Sequence, residues 1–263
     1  MTGALQGSLG AQVAQLARRS MLRTFRQPAQ VVPTIVFPLF LLAINSAGLD
    51  AATKLPGFPS DSYVDFAMAF AFMQGALFIM VNAGTDLARD VESGFLSRLA
   101  LTPTRRAALL MGQLAGVMAV AFLAGLIYLA VGFVAGVTVA TGAGGVLVLF
   151  VLAGLIGLAF ASIGAFVGLR FGSAEAVQGF FPLAFVSLFL SSASLPRPLI
   201  EQDWFRTVAT YNPVSYLVEG VRSLFVIGWD AEALTLGFGI AGALALLAIA
   251  GASAALRTRV VRT

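Results

Sequence analysis

The sequence contains neither cysteine nor histidine, and its one lysine is Lys54. Without cysteine there are no disulfides, no thiolate metal sites and no cysteine nucleophile. Without histidine the usual zinc ligand and the side chain best suited to proton transfer near neutral pH are missing, which disfavours most hydrolytic and metal chemistry. Charge is scarce as well. Only 11% of the 263 residues are charged, against 59% hydrophobic, and the mean hydropathy is +0.94. A soluble domain of this composition would have too little polar surface to cover its exterior, so a bilayer is the consistent solvent. The excess of arginine over lysine, with abundant Ala, Gly and Val, fits GC-rich coding and points to a bacterial source.

A helix needs about 20 apolar residues to cross the hydrocarbon core. Six stretches qualify: about Val31–Leu49, Tyr63–Thr85, Ala107–Val137, a fourth from the Gly-rich break at 141–145 to Leu169, then Ala176–Ala193 and Ala233–Leu256. The chain therefore reads as all-α, one polytopic transmembrane domain over 1–263. Residues 1–30 form a cytoplasmic and interfacial helix, 31–256 hold six spans, and 257–263 form a cytoplasmic tail. The late start and full length of the first apolar run argue against a cleavable signal peptide.

Basic residues near span ends stay on the cytoplasmic side. With both termini inside, twelve of the sixteen fall there: Arg18, Arg19, Arg23 and Arg26, then Arg89, Arg98, Arg105 and Arg106, then Arg170, then Arg257, Arg259 and Arg262. Lys54, Arg197, Arg206 and Arg222 remain outside. Ahead of the first span, Leu5, Leu9, Val13, Leu16 and Ala17 recur at helical spacing, which predicts an interfacial helix ended by Pro28.

Two connections are more than loops. The first, residues 86–106, contains Gly94 as a helix breaker and Pro103 as a helix stop, with Phe95, Leu96 and Leu99 forming an apolar ridge beside Arg98. Such a ridge suits docking into a groove on a cytosolic partner, or else lying on the bilayer surface. The second, Leu195 to Asp230, is too long for a tight turn. There Asn212-Pro213 reads as an N-cap with proline in the first helical position, and Val214, Leu217, Val218, Val221, Leu224 and Phe225 repeat at three and four, an amphipathic helix whose charged partners are Glu219 and Arg222. Trp204, Tyr211, Tyr216 and Trp229 suit an interfacial depth. The segment is expected to re-enter the outer leaflet as one or two short helices rather than to cross it.

With this N-terminal helix, the acidic-Gly-hydrophobic-Arg-Pro pattern within Gly84 to Gly112, and Asn212-Pro213-Val214-Ser215-Tyr216 running on to Arg222 before the last span, the chain resembles the permease subunits of type 2 ATP-binding-cassette transporters, in particular the daunorubicin-resistance-like exporters. The resemblance implies that Ser8 to Arg26 is a connecting helix. It implies that Glu92 to Pro103 is a coupling helix contacting an ATPase, with Glu92, Gly94, Phe95, Leu96, Arg98, Leu99 and Pro103 as its residues. Asn212, Pro213, Tyr216, Glu219 and Arg222 would belong to a short re-entrant outer gate. A second copy of the permease, as a homodimer, and two copies of a cassette ATPase would complete the assembly in a bacterial plasma membrane. Residues alone add that the chain has no G-x-x-x-x-G-K-[ST] phosphate loop, so this chain binds no cofactor and ATP and Mg would sit on the partner. Nothing points to nucleic acid; membrane lipid is the other expected contact.

For cargo, Asn45, Gln74, Asn82, Gln113 and Gln178 are uncharged amides scattered through the spans, each suited to an interhelical hydrogen bond. Phe66, Phe70 and Phe78 fall near one face of the second span, and with Gln74 and Asn82 they are the candidate pathway residues. Packing is the default reading for them, yet an uncharged Phe-rich route suits a hydrophobic or amphipathic drug-like molecule or lipid, moved outward. An ion-driven secondary transporter would need ionisable groups at mid-membrane, whereas the acids lie near predicted span ends. A non-transporting scaffold subunit stays open as a third reading.

Overall fold

The second predicted span becomes the axis of the molecule. In the computed structural model, which describes residues 8–100 and 106–261, every regular element among the described residues is helical. The order is α1 Leu9–Phe25, α2 Pro28–Leu49, α3 Tyr63–Glu92, α4 Phe95–Ala100, α5 Arg106–Val134, α6 Gly142–Phe171, α7 Ala174–Phe189, α8 Asp203–Tyr211, α9 Pro213–Val226 and α10 Ala231–Val261, with 3-10 turns at Asp50–Lys54 and Arg197–Leu199.

Helix α3 starts where the Ser62 hydroxyl accepts the Asp65 N–H at 3.4 Å. It is apolar on every side, and a helix without a polar face belongs in an interior. Accordingly α2, α5, α6, α7 and α9 all pack against it, and Phe66, Met68, Ala69, Ala71 and Gln74 have no exposure. The closest contact is with α6. A Cβ on Gly164 would stand 1.9 Å from the Met80 carbonyl oxygen, and one on Gly168 would stand 2.2 Å from that of Gly84. Only the Gly-x-x-x-Gly spacing lets these two backbones touch.

Helix α1 opens on Ser8, whose hydroxyl accepts the Ala11 N–H at 3.3 Å. It stops at Phe25, and Pro28 begins α2 in the first helical position, where its missing N–H costs nothing. The N-terminal helix and the break at Pro28 are thus as the sequence predicts, though Leu5 lies outside the described residues.

Among the described residues, five segments are long and apolar enough to cross a membrane: Pro28–Lys54, Tyr63–Glu92, Ala107–Val134, Gly142–Phe171 and Ala231–Arg259. The predicted fifth span, 176–193, is where structure and expectation part. Helix α7 has 16 residues, about 24 Å at 1.5 Å per residue, short of the ~30 Å hydrocarbon core. It ends early because Ser191 turns its hydroxyl onto the Leu188 carbonyl at 2.5 Å, and Asn212 takes the Ser187 and Leu190 carbonyls. Conversely, α3 continues past Thr85 to Glu92, since the acids that looked like a loop are paired within the fold.

The connection 195–230 holds two short helices, α8 and α9. Asn212 Oδ1 accepts the Val214 N–H at 2.9 Å and Pro213 is the first residue of α9, as read from the sequence. The apolar face read there is the buried face: Leu217, Val218, Val221 and Leu224 have no exposure.

Candidate functional site

The described residues contain two concentrations of polar side chains, one at each end of α3. At the C-terminal end, Asp86 and Asp90 stand one turn apart and face Arg19 and Arg23, which stand one turn apart on α1. Asp90 Oδ1 accepts from Arg19 Nη2 at 2.9 Å and from Arg23 Nη1 at 2.8 Å, while its Oδ2 accepts from Arg19 Nη1 at 3.2 Å. Arg23 Nε lies 3.4 Å from Asp86 Oδ1, and Gln113 Nε2 donates to Asp86 Oδ2 at 3.4 Å. Next to this lattice Arg89 Nη1 donates to Gln27 Oε1 at 3.0 Å. The sequence reading took these arginines only as markers of sidedness. The missed signal was the matching i, i+4 spacing of two acids and two bases.

Beyond Glu92 the chain reverses through Gly94, whose φ of +66° an L side chain would strain against, and α4 begins at once. The predicted ridge is divided there. Leu96 is 5% exposed and packs inward with Leu87, Leu109, Leu169 and Leu256. Its burial follows from α4 lying over the meeting point of α3, α5, α6 and α10, so it is not an outward docking contact. Phe95 is half-buried, with the Arg19 guanidinium 3.9 Å above its ring. Glu92 is exposed but committed: its Oε1 accepts the Ala174 N–H at 3.0 Å and so caps the start of α7. Arg98 is exposed and donates to the Ser93 carbonyl at 3.3 Å. Pro103 and the side chain of Leu99 lie outside the described residues.

At the N-terminal end of α3 the predicted outer residues do come together. Besides capping α9, Asn212 Nδ2 donates to the carbonyls of Ser187 at 2.6 Å and Leu190 at 3.0 Å, tying α9 to the end of α7. Tyr216 donates its hydroxyl to the Thr210 carbonyl at 2.9 Å, and Arg197 covers its ring at 4.7 Å. Glu219 holds Arg197 through two hydrogen bonds, the Nε one at 2.8 Å. Burial works against the Arg197 charge, but the hydrogen-bonded Glu219 carboxylate outweighs it and raises its pKa. Arg222 is 4% exposed. Its Nη1 and Nη2 donate to the carbonyls of Ser192 at 2.8 Å and Ala193 at 2.6 Å, and its Nε lies 3.4 Å from that of Phe66, whose ring is 3.6 Å away. Burial draws the pKa of Arg222 down to about 9, which leaves it charged at neutral pH.

The candidate pathway residues lie between these two ends, and most are interior. Phe66 lies under Arg222, Phe70 is 3% exposed and edge-on to Phe189 at 5.6 Å, and Gln74 has no exposure. Gln74 is also unsatisfied: neither amide atom has a hydrogen-bond partner among the described residues. Asn82 makes the interhelical bonds that its residue type suggests, to Thr34 Oγ1 at 3.1 Å and the Gln30 carbonyl at 3.4 Å. Only Phe78 reaches the side of the molecule. It joins Phe37, Phe181, Phe185 and Phe189 in an aromatic band across α2, α3 and α7, in which consecutive rings are 5.0–5.6 Å apart. Among the described residues of a single copy, Phe70, Gln74 and Asn82 therefore line no open route, because α3 is the centre of the bundle.

Comparison with known proteins adds two findings. Residues 11–226 match the family model described as ABC-2 type transporter, a stretch that runs from α1 to the end of α9. The Porphyra purpurea protein named as the transport permease ycf38 is 26% identical over 221 residues, covering 81% of this chain and 74% of that protein.

Proposed function

We propose that this chain, which belongs to the ABC-2 type transporter family, is the permease half of an exporter driven by a separate cassette ATPase. It is a multi-pass membrane protein by its apolar helices and its family. In our reading α7, with the turn after it, serves as a sixth crossing. Both termini face the cytoplasm of a bacterial cell, and α8 and α9 dip into the outer leaflet. Two permease copies and two ATPase subunits assemble, with ATP and Mg held by the ATPase. The cargo is a hydrophobic or amphipathic molecule, drug-like or lipid, moved outward as in the daunorubicin-resistance-like branch.

The observation that carries the reading is α4: a short helix after a glycine turn, with Arg98 outward and Leu96 inward. It is fastened through Phe95 to Arg19 and thereby to the charge lattice on α1 and α3. A push on α4 would reach both helices directly, which is what an ATPase docked there requires. The aromatic band on α2 and α7 offers the second copy an apolar face beside the bundle.

Mild-detergent purification of the full chain from its native host tests the partner. A co-purifying cassette ATPase lacking membrane spans supports the proposal, and its loss with Arg98→Glu places the contact on α4. The exposed Arg98 is a better probe than Phe95, because an acid at position 95 would sit beneath Arg19 and be neutralised there. If the complex survives extraction and contains no ATPase, the secondary-transporter and scaffold readings take its place.

A further inference from the structure

An open chamber of about 620 Å³ lies beside the start of α3, lined by the loop before α3, the 3-10 turn 197–199, α8, α9 and the loop into α10. Its lining includes Phe66, Pro198, Arg197, Arg206, Arg222 and Ile227. Two of the three arginines are spoken for. Arg197 is clasped by Glu219, and Arg206 pairs with Asp203. The chamber's other acid, Asp230, accepts the Ala233 N–H at 3.0 Å as the cap of α10. Arg222 differs from both. Among the described residues no carboxylate lies within ion-pairing distance of it, and of its five N–H groups three point at carbonyls. Two N–H groups and a full charge are left on a side chain that is 4% exposed and lines a chamber large enough for a ligand. Glu219 acts on Arg222 only at a distance while it is hydrogen-bonded to Arg197, and burying a charge without a directly paired carboxylate is costly, so an anion that enters recovers that cost while using a fork shaped for two oxygens. Ile227, which lines the chamber, is 61% exposed, and Trp204, Tyr211 and Trp229 on the segments that build it are each more than 60% exposed, the aromatic composition of a membrane interface.

We propose that this chamber is a binding site for an anionic headgroup, a phosphate or carboxylate, seated on Arg222. The headgroup's oxygens take the two free N–H groups, and an attached chain leaves past the exposed Ile227. The same oxyanion chemistry is carried by a lipid-like amphiphile and by free phosphate, and the assay separates them.

The chain has two tryptophans, Trp204 and Trp229, so fluorescence of the full protein in phosphatidylcholine nanodiscs reports this region. Hexyl phosphate should give a saturable change. Its apparent Kd should rise at least tenfold in Arg222→Lys, which keeps the charge but not the fork, and in Thr210→Phe, which fills the chamber and leaves every Arg222 bond in place. Arg206→Gln should change it less than twofold. Inorganic phosphate displacing hexyl phosphate at equal concentration assigns a free anion; displacement only above a tenfold excess assigns an amphiphile headgroup. The proposal is overturned if hexanol binds as tightly as hexyl phosphate, if nothing saturates, or if a folded Thr210→Phe binds like the parent. The assay reads this chain alone, so its failure leaves the ATPase reading standing, and loss of the ATPase reading leaves the site standing.

Discussion

Replacing Asp90 with asparagine should loosen the hold of α1 on α3. The carboxylate is 3% exposed and accepts three hydrogen bonds from two arginines. Removing one partner of a fully buried ion pair costs about 3–5 kcal/mol, because the remaining charge stays buried. Here Arg19 and Arg23 keep 37% and 21% of their side chains exposed, so water recovers part of that loss and about 2–3 kcal/mol remains. Arg23 would be left with Asp86 alone, at 3.4 Å. For a chain of this size that corresponds to a fall in Tm of about 5–10 °C. The assay is thermal unfolding of the purified protein in one fixed detergent, run as a double-mutant cycle with Arg23→Gln. The double variant should lose at least ~1 kcal/mol less than the two single losses added together, since the second change removes a charge the first has orphaned. Additive losses, or an Asp90→Asn loss below ~0.5 kcal/mol, would refute the lattice as the fastening of α1.

Gly164→Ala places a methyl group 1.9 Å from the Met80 carbonyl oxygen, and separating α3 from α6 should cost more than the ~1–3 kcal/mol of ordinary overpacking, visible as a collapse in folded yield on size exclusion. Asn212→Ala should lose about 2–3 kcal/mol, a cap of ~1 kcal/mol plus the bonds to two α7 carbonyls, while Asn212→Asp should restore only the cap, a ranking that Tm resolves. Gln74→Leu removes two buried amide atoms that have no partner and should leave Tm unchanged or raise it by a few degrees; a fall of similar size would mean that the amide has a partner in the assembled protein.

Local chemistry was legible and long-range pairing was not. Asn212-Pro213 announces α9 because capping and the proline position are decided within a few residues, and Gly94 announces the reversal before α4 for the same reason. The ridge of Phe95, Leu96 and Leu99 was legible as apolar but not as to what covers it. Leu96 turns inward because helices 13 or more positions away converge beneath it, as Leu109, Leu169 and Leu256 show. Asp86 and Asp90 looked like the end of a span since their arginine partners lie far back in the chain, 67 and 71 residues away for Asp90. Yet the spacing 19, 23 against 86, 90 was present in the sequence and would have found the lattice. The Phe66, Phe70 and Gln74 set shows a different limit. Three-to-four spacing selects one face of a helix, but between its polar ends α3 is apolar nearly all round, a pattern that marks a central helix.

The position of α3 joins the two polar ends into one mechanical unit. Its helix has no internal proline, whereas α2 contains Pro33 and Pro38 and α7 contains Pro182, each of which removes a backbone hydrogen bond and permits bending. Under the transport reading, a displacement imposed beside Gly94 would travel along α3 as a nearly rigid translation, held in register with α6 by the Gly84, Gly164 and Gly168 contacts. It arrives at Phe66, whose carbonyl and ring both touch Arg222. The flexible α2 and α7 meanwhile carry the aromatic band and can yield around it. Under the transport reading this division assigns force to α3 and accommodation to its proline-containing neighbours, and it places the buried guanidinium at the point where the force is delivered.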